Sequence, residues 1–167
     1  MEKTQRYDKL YQREYPKLQE QLERLVMLAE RHDANIAMIV LFGSTARLEP
    51  GPESDADILL LLHDQAGFFT GSERGHAPGA LAGSSLITMA YQGDRPVEDA
   101  GQLSDWPIVA TISDEAASDL DADFLANLER DGVELYRQPR YMPPSQLARL
   151  KNWDEWQDDV EKMLAAV

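Results

Sequence analysis

Two short apolar runs, separated by a turn-rich stretch, constrain the fold of this chain more than any other feature. The first run, Ile36–Phe42, is followed by Gly43. The second run, Ala56–Leu62, directly follows Asp55 and has Asp57 as its second residue. Each run is short and consists mainly of aliphatic residues, which is typical of a buried strand. We therefore expect two strands of one sheet, each with polar residues where the turn joins it.

Helical and strand patterns alternate in the rest of the chain. A helical pattern covers about 4–31 and restarts at Pro16, because proline is tolerated in a first helical turn. The further predicted elements are strands over 86–91, 108–112 and 133–136, and a helix over 121–131 that ends at Gly132.

A last amphipathic helix is expected after Pro143 and Pro144. One face of it would carry Leu147, Leu150, Trp153, Trp156, Val160 and Leu164. Together the elements predict an α/β (α+β) fold, in which a small mixed β-sheet is flanked by helices, with an N-terminal helical arm and a C-terminal amphipathic helix. The expected organisation is a helical segment over 1–31, the sheet domain over 32–138 and the C-terminal helix over 139–167.

The net charge of the chain limits the classes of partner that it is expected to bind. Thirty acidic residues against 16 lysines and arginines give a net charge of -14, which argues against extended nucleic-acid binding and against anionic membranes. Because the chain has no cysteine, disulfides, thiolate zinc sites and a cysteine nucleophile are excluded. The N-terminus is too charged for a signal peptide, and no apolar run approaches the ~20 residues of a membrane span. We expect a soluble cytoplasmic protein.

The Gly43–Ser44 step at the end of the first run is suited to binding an anion. Glycine lets the backbone turn tightly, and it has no Cβ to block an approaching group. Backbone N–H groups in such a turn can cradle a phosphate, and the Ser44 hydroxyl adds a donor. Arg47 follows within one helical turn, which would bring its guanidinium near the same anion.

Asp55 and Asp57 are suited to binding a metal. They lie two positions apart on a predicted strand, so both carboxylates point to the same face. Two such carboxylates repel each other and lose solvation, and a divalent cation removes both problems. Mg²⁺ combines one or two carboxylates with phosphate oxygens and water. The two strands therefore predict one nucleotide–metal site for metal-assisted phosphoryl or nucleotidyl transfer.

The segments LFGSTAR and SDADILLLL resemble the signature of the polymerase-β-like nucleotidyltransferase superfamily, in which a glycine-serine is followed by Asp-x-Asp; here ten residues separate Ser44 from Asp55. The resemblance is clear over 36–62 and weaker over 124–136, and it is greatest to the bacterial minimal nucleotidyltransferases. That family includes antitoxin partners of HEPN-domain toxins. The resemblance implies a nucleotidyltransferase domain over 32–138. Gly43 and Ser44 would hold a nucleoside triphosphate, expected to be ATP, and Asp55 and Asp57 would be catalytic and bind two Mg²⁺ ions.

The sequence departs from that family in two places. Active members usually carry a third carboxylate on a later strand beside the Asp pair, whereas the strand expected over 108–112 has no acid. The nearby acids are Asp94, Glu98, Asp99, Asp105 and Asp114. Three interpretations stay open: the third acid comes from an irregular position, two carboxylates suffice, or catalysis is lost.

The second departure is a glycine-rich loop over 65–85, where the family has a compact helix. Such a loop is either a lid, with Arg74 and His76 meeting the substrate, or a disordered insertion.

Several other signals favour plain structural roles. The alternating Asp119, Asp121 and Asp123 are expected at the start of a helix and not in a calcium loop. The tyrosine stripe of Tyr7, Tyr11 and Tyr15 is expected to pack against the body of the protein, and His63 is expected on the surface although it follows the second run. Trp153 and Trp156 are expected in the core or in a subunit contact, which would make the C-terminal helix a route to an oligomer.

The sequence supports two functions. The first is a Mg²⁺-dependent nucleotidyltransferase that moves a nucleoside monophosphate from a triphosphate to a hydroxyl, with a HEPN-type toxin as the expected acceptor by family resemblance. The alternative is a catalytically weak or inactive protein of the same fold that acts as a binding antitoxin or interaction module. An acidic antitoxin would complement the charge of a basic RNA-cleaving partner.

Overall fold

A mixed sheet, with five strands among the described residues, forms the core of the structure. The computed structural model describes residues 13–32, 35–49, 56–63 and 108–166. Within these residues the strands are β1 (Ile36–Phe42), β2 (Ala56–Leu62), β3 (Ile108–Asp114), β4 (Val133–Arg137) and β5 (Lys151–Asn152), in the spatial order β3-β2-β1-β4-β5. The mixed sheet flanked by helices confirms the predicted fold class. The predicted strand over 86–91 and the loop over 65–85 lie outside the described residues.

The central hairpin of β1 and β2 fixes where the candidate site lies. Both strands have the predicted bounds, and they pair antiparallel with Leu41 opposite Ile58 and Phe42 opposite Asp57. Every residue of 36–41 is buried, because β1 lies between β2 and β4 and is covered on both faces. The antiparallel register brings the end of β1 and the start of β2 to one edge of the sheet.

Two helices cover one face of the sheet. Helix α1 (Tyr15–His32) begins one residue before Pro16, which confirms the predicted restart, and it buries Leu18, Leu22, Leu25 and Ala29. These side chains share a cluster with Ile39 and Leu41 of β1 and with Trp156 and Val160 of the C-terminal helix. The part of the predicted N-terminal arm that the structure describes is therefore packed on the sheet.

The opposite face is covered by α3 (Ala122–Asp131), which follows the one-turn helix α2 (Gly43–Ala46) in chain order. Met38 and Val40 of β1 point to this face, as the alternation of a strand requires, and they cluster with the buried Leu128 and Leu147. Each face of β1 therefore contributes to a separate apolar cluster.

The predicted C-terminal helix is shorter than expected, because Leu147 and Leu150 do not belong to it. They pack on the α3 face, whereas Trp153, Trp156 and Val160 pack on the α1 face. Helix α4 (Trp153–Ala166) begins after Asn152, whose Oδ1 accepts from the Glu155 N–H at 2.9 Å while the Glu155 carboxylate accepts from the Asn152 N–H at 3.3 Å. This reciprocal cap starts the helix there.

The start and the end of α3 resolve two further predictions. The Asp121 carboxylate accepts from the Phe124 N–H at 2.7 Å, which makes it the N-cap and confirms a helix start in place of a calcium loop. Gly132 follows the helix as predicted, but with φ -66° it is not in the left-handed conformation. Glycine is needed there because an added Cβ would lie 2.5 Å from the Leu128 carbonyl oxygen.

The described helices do not include one that could span a membrane. None of them, within 13–32, 43–46, 122–131 and 153–166, is both long enough and apolar enough to span a membrane.

Asp121→Ala should lower the free energy of unfolding by about 1 kcal/mol, because it leaves an N–H of the first turn of α3 without its cap. Asp123→Ala is the matched control, since it removes one exposed carboxylate from the same turn without touching the cap, and it should cost only a few tenths of a kcal/mol. Urea denaturation of both variants measures the difference. Equal losses would show that charge near the helix start, and not the cap, is what matters.

Candidate functional site

The chain leaves β1 through a tight turn at Gly43. Helix α2 starts at this residue, and the Arg47 and Glu49 N–H groups donate to the Gly43 and Ser44 carbonyls at 3.2 and 2.9 Å. The backbone is left-handed at both ends of the turn, with φ 78° at Gly43 and φ 61° at Leu48. Leu48 has a Cβ, so this conformation costs about 1–2 kcal/mol that its surroundings must offset.

Gly43 and Asp57 are in direct apposition. A Cβ added to Gly43 would lie 2.7 Å from Asp57 Oδ2, closer than two such atoms can approach. Glycine is therefore required twice, once by its positive φ and once by the carboxylate packed against its Cα. The structure thus brings together two residues that the sequence placed in one site.

This arrangement fits a divalent cation bound near a phosphate. The Asp57 side chain is half-buried at the second residue of β2, and its oxygen occupies the space that any other residue at position 43 would fill. Carboxylate oxygens are the ligands that Mg²⁺ prefers. Ser44 is also half-buried, in the same turn. Asp55 lies outside the described residues, so its place on the same face as Asp57 stays a prediction.

Arg47 is paired with two carboxylates. Its Nε lies 3.3 Å from Glu49 Oε2, and its Nη1 lies 3.6 Å from Asp131 Oδ2 at the end of α3. Arg130 also contacts Asp131, at 2.9 Å. The Arg47 side chain therefore ties α2 to α3 here, and its predicted contact with a phosphate would require it to exchange these partners for the anion.

The described part of the sheet places no third carboxylate beside Asp57. Strand β3 runs parallel to β2 with Val109 opposite Asp57, and its acid, Asp114, pairs with Leu62 at the other end. Five residues of strand span about 17 Å, which is too far for a shared metal. Asp114 accepts from Ser118 instead, and hydrogen bonds from Ser118 hold its pKa below the usual range.

Asp114 is thereby removed from the candidates for the third acid. Within the described ranges no group of three His, Cys, Asp or Glu side chains converges as a metal site. The other candidates, Asp94, Glu98, Asp99 and Asp105, lie outside those ranges, as do Arg74 and His76.

Two residues that sequence reasoning assigned only to packing also contact the turn. The Tyr15 hydroxyl donates to the Thr45 carbonyl at 3.0 Å, and Trp156 Nε1 donates to the Ala46 carbonyl at 3.1 Å. Both side chains are buried in the core, as expected for packing residues. Their aromatic rings predicted burial, but nothing local in the sequence gives the polar partner. The aromatic face of α4 packs against other parts of the same chain. The expectation that this helix forms an oligomer contact therefore gains no support.

His63 lies at the opposite end of β2 from Asp57, and its exposed position confirms the prediction of a surface residue. Its Nδ1 lies 2.7 Å from Glu115 Oε2 and its Nε2 lies 2.6 Å from Gln138 Oε1. It borders a cleft of about 730 Å³ whose other lining residues are Glu115, Ala116, Gln138, Arg140, Tyr141, Met142, Pro143 and Pro144. Hydrogen bonding to Gln138, and then to Glu115, raises the pKa of His63, because only the imidazolium donates from both nitrogens.

His63 should make stability depend on pH. Its folded-state pKa lies above the unfolded value of about 6.5, so its contribution is complete below that pH and is lost as pH rises through the folded pKa. The difference in unfolding free energy between wild type and His63→Asn should therefore shrink from pH 6 to pH 9. Glu115→Gln should weaken this trend, while Tyr141, whose pKa burial raises to about 12, stays neutral throughout. A difference that is constant with pH would contradict the imidazolium bridge.

Gly43→Ala should lower the unfolding free energy by about 1–3 kcal/mol, because it combines a left-handed alanine with a Cβ placed against Asp57. In an Asp57→Ala background the same substitution should cost less, since only the backbone strain remains. Urea denaturation of the four proteins closes a double-mutant cycle. Additive losses would contradict the close packing of the two residues.

Comparison with known proteins finds a family model that matches part of the chain. Residues 9–84 match the model of a family described as nucleotidyltransferase domain, a range that contains all five predicted site residues, Gly43, Ser44, Arg47, Asp55 and Asp57. No curated protein matches the chain in sequence.

Two solved structures are similar to the chain at low identity. A toxin–antitoxin crystal structure with AMP-PNP shares 14% identity, with 87% of each chain covered and a TM-score of 0.40. A protein from Sulfolobus solfataricus assigned as a nucleotidyltransferase shares 15% identity, with 81% of this chain and 92% of that chain covered and a TM-score of 0.36. Both TM-scores are below 0.5, so no conclusion rests on them. The sequence match confirms the predicted resemblance to nucleotidyltransferases over residues 9–84 of this chain.

Proposed function

We propose that this protein is a Mg²⁺-dependent nucleotidyltransferase that transfers a nucleoside monophosphate from a triphosphate to a hydroxyl. One observation carries the proposal: the Asp57 carboxylate is packed against the Cα of Gly43, within a segment that matches the nucleotidyltransferase domain family. A phosphate-sized anion at the turn and a cation on the carboxylate would then be neighbours.

Each residue of the site has a distinct part in this proposal. The Gly43 turn would offer its backbone N–H groups to the phosphates, and Ser44 would offer its hydroxyl to them. Asp57, with Asp55, would hold Mg²⁺, with two ions expected as the family resemblance implies. When bound, the metal would neutralise charge on the transferred phosphoryl group and favour ionisation of the acceptor hydroxyl. Arg47, which now faces Glu49 and Asp131, would add a guanidinium to the anion.

The net charge of the chain favours one class of acceptor over another. A net charge of -14 disfavours an extended RNA acceptor, so a protein hydroxyl is the better candidate. The resemblance to minimal nucleotidyltransferases suggests a HEPN-type toxin as that protein, with ATP as the donor. The same proposal places the protein in the cytoplasm, where nucleoside triphosphates are available.

A second candidate function follows from β3. The residue of β3 that lies opposite Asp57 is Val109, which has no carboxylate. If no residue outside the described ranges supplies that group, the protein would bind nucleotide weakly or without turnover and act as an antitoxin by covering a basic partner.

Incubation with Mg²⁺, labelled ATP, GTP, CTP or UTP, and cell lysate tests the enzymatic proposal. Wild type should label an acceptor, and the double variant Asp55→Ala/Asp57→Ala should lose at least about two orders of magnitude of that labelling, because it removes both metal ligands. The matched control, Asp123→Ala/Asp158→Ala, removes two exposed carboxylates outside the site and should label normally. Equal labelling by all three proteins would refute the assigned site. Nucleotide binding without labelling would favour the second function.

A further inference from the structure

We propose that Tyr15 and Trp156 are positioning residues, which hold the Gly43–Ala46 turn in the shape that the nucleotide site requires. The expected effect on nucleotide binding rests on the proposed function. The two hydrogen bonds that hold the turn do not depend on that function. Neither residue is assigned a contact with the substrate.

The two donors reach the turn from opposite ends of the described chain. Tyr15 is the first residue of α1 and Trp156 lies in the first turns of α4, yet their ring centroids are only 5.9 Å apart. Their polar atoms bond successive carbonyls, Thr45 at 3.0 Å and Ala46 at 3.1 Å. The two aromatic side chains therefore form one support beneath the turn.

The support acts on the buried end of α2 and leaves the other end open. Thr45 and Ala46 are buried, whereas Gly43 and Ser44 are partly exposed on the side where Asp57 lies. The Thr45 carbonyl also accepts from the Leu48 N–H at 3.2 Å, so Tyr15 adds a second hydrogen bond to it. The two aromatic donors therefore act on the Thr45 and Ala46 carbonyls and not on Gly43 or Ser44.

The turn needs such a support because its backbone is strained. Gly43 at one end has φ 78°, which glycine adopts freely, whereas Leu48 at the other end has φ 61° although it is not glycine. Conformations of this kind persist only where the surrounding structure determines them. Tyr15 and Trp156 supply fixed points between these two residues, together with the packing of Leu48 against the core.

Both donors are suited to a permanent role. Tyr15 and Trp156 are fully buried in the larger apolar cluster, so their rings cannot move without disturbing it. Burial keeps the pKa of Tyr15 far above physiological pH, so its hydroxyl always carries the donated proton. Trp156 lies outside the segment that matches the nucleotidyltransferase family, so the family match does not account for its contact with the turn.

Tyr15→Phe and Trp156→Phe test the proposal, because each removes a donor and keeps an aromatic ring. Leu22→Val and Val160→Ala are the matched controls, since they loosen the same cluster from the same helices but remove no hydrogen-bond donor. In the nucleotide-free protein, hydrogen exchange should become roughly three- to tenfold faster at the amides of Arg47, Leu48 and Glu49 in the Phe variants, relative to amides of β1 and β2. The controls should not show this selective change.

Calorimetric titration with AMP-PNP and Mg²⁺ then measures the consequence for the site. Affinity should fall roughly three- to tenfold in the Phe variants and stay near wild type in the controls, because a less populated turn conformation lowers the apparent affinity in proportion. Equal affinities in all five proteins, or a loss that follows stability alone, would overturn the proposal.

Failure of the proposed function gives a different result. Wild-type protein that binds no nucleotide overturns that function, and hydrogen exchange then decides whether the two residues hold the turn. Exchange that is selective for 47–49 supports the hold, and exchange that matches the controls overturns it.

Discussion

The contact between the Cα of Gly43 and the carboxylate of Asp57 is the constraint on which the rest of the site depends. With 2.7 Å between Asp57 Oδ2 and the place of an added Cβ, no residue with a side chain fits at position 43 without displacing the acid. The left-handed backbone at the same residue adds a second requirement for glycine. The Asp57 carboxylate and the Gly43 turn are thereby placed side by side at one end of the central hairpin.

The sheet places this contact through its register and its burial. Phe42 pairs with Asp57, so the last residue of β1 and the second residue of β2 meet at the end of the hairpin where the chain turns. Both strands are buried on two faces by separate apolar clusters, which fixes their register because a slip by one residue would exchange the faces. Helices α1 and α4 then contact the turn itself through Tyr15 and Trp156.

Local pattern was enough to predict some of this structure. The two central strands were predictable from their lengths and composition, and the start of α3 from its acidic first turn. The start of the last helix was not predictable in this way. The apolar residues continue at a helical spacing from Leu147 to Trp153, across the Asn152 cap, although Leu147 and Trp153 pack on opposite faces of the sheet. The donors Tyr15 and Trp156, and the Asp131 partner of Arg47, depend on contacts between distant residues that a single sequence does not give.

A crystal structure of the protein grown with Mg²⁺ and AMP-PNP tests the central claim most directly. The account predicts phosphate oxygens against the backbone of Gly43 and Ser44, and Mg²⁺ about 2.0–2.1 Å from an Asp57 carboxylate oxygen. Nucleotide bound elsewhere, such as in the cleft bordered by His63, with no metal on Asp57, would contradict it.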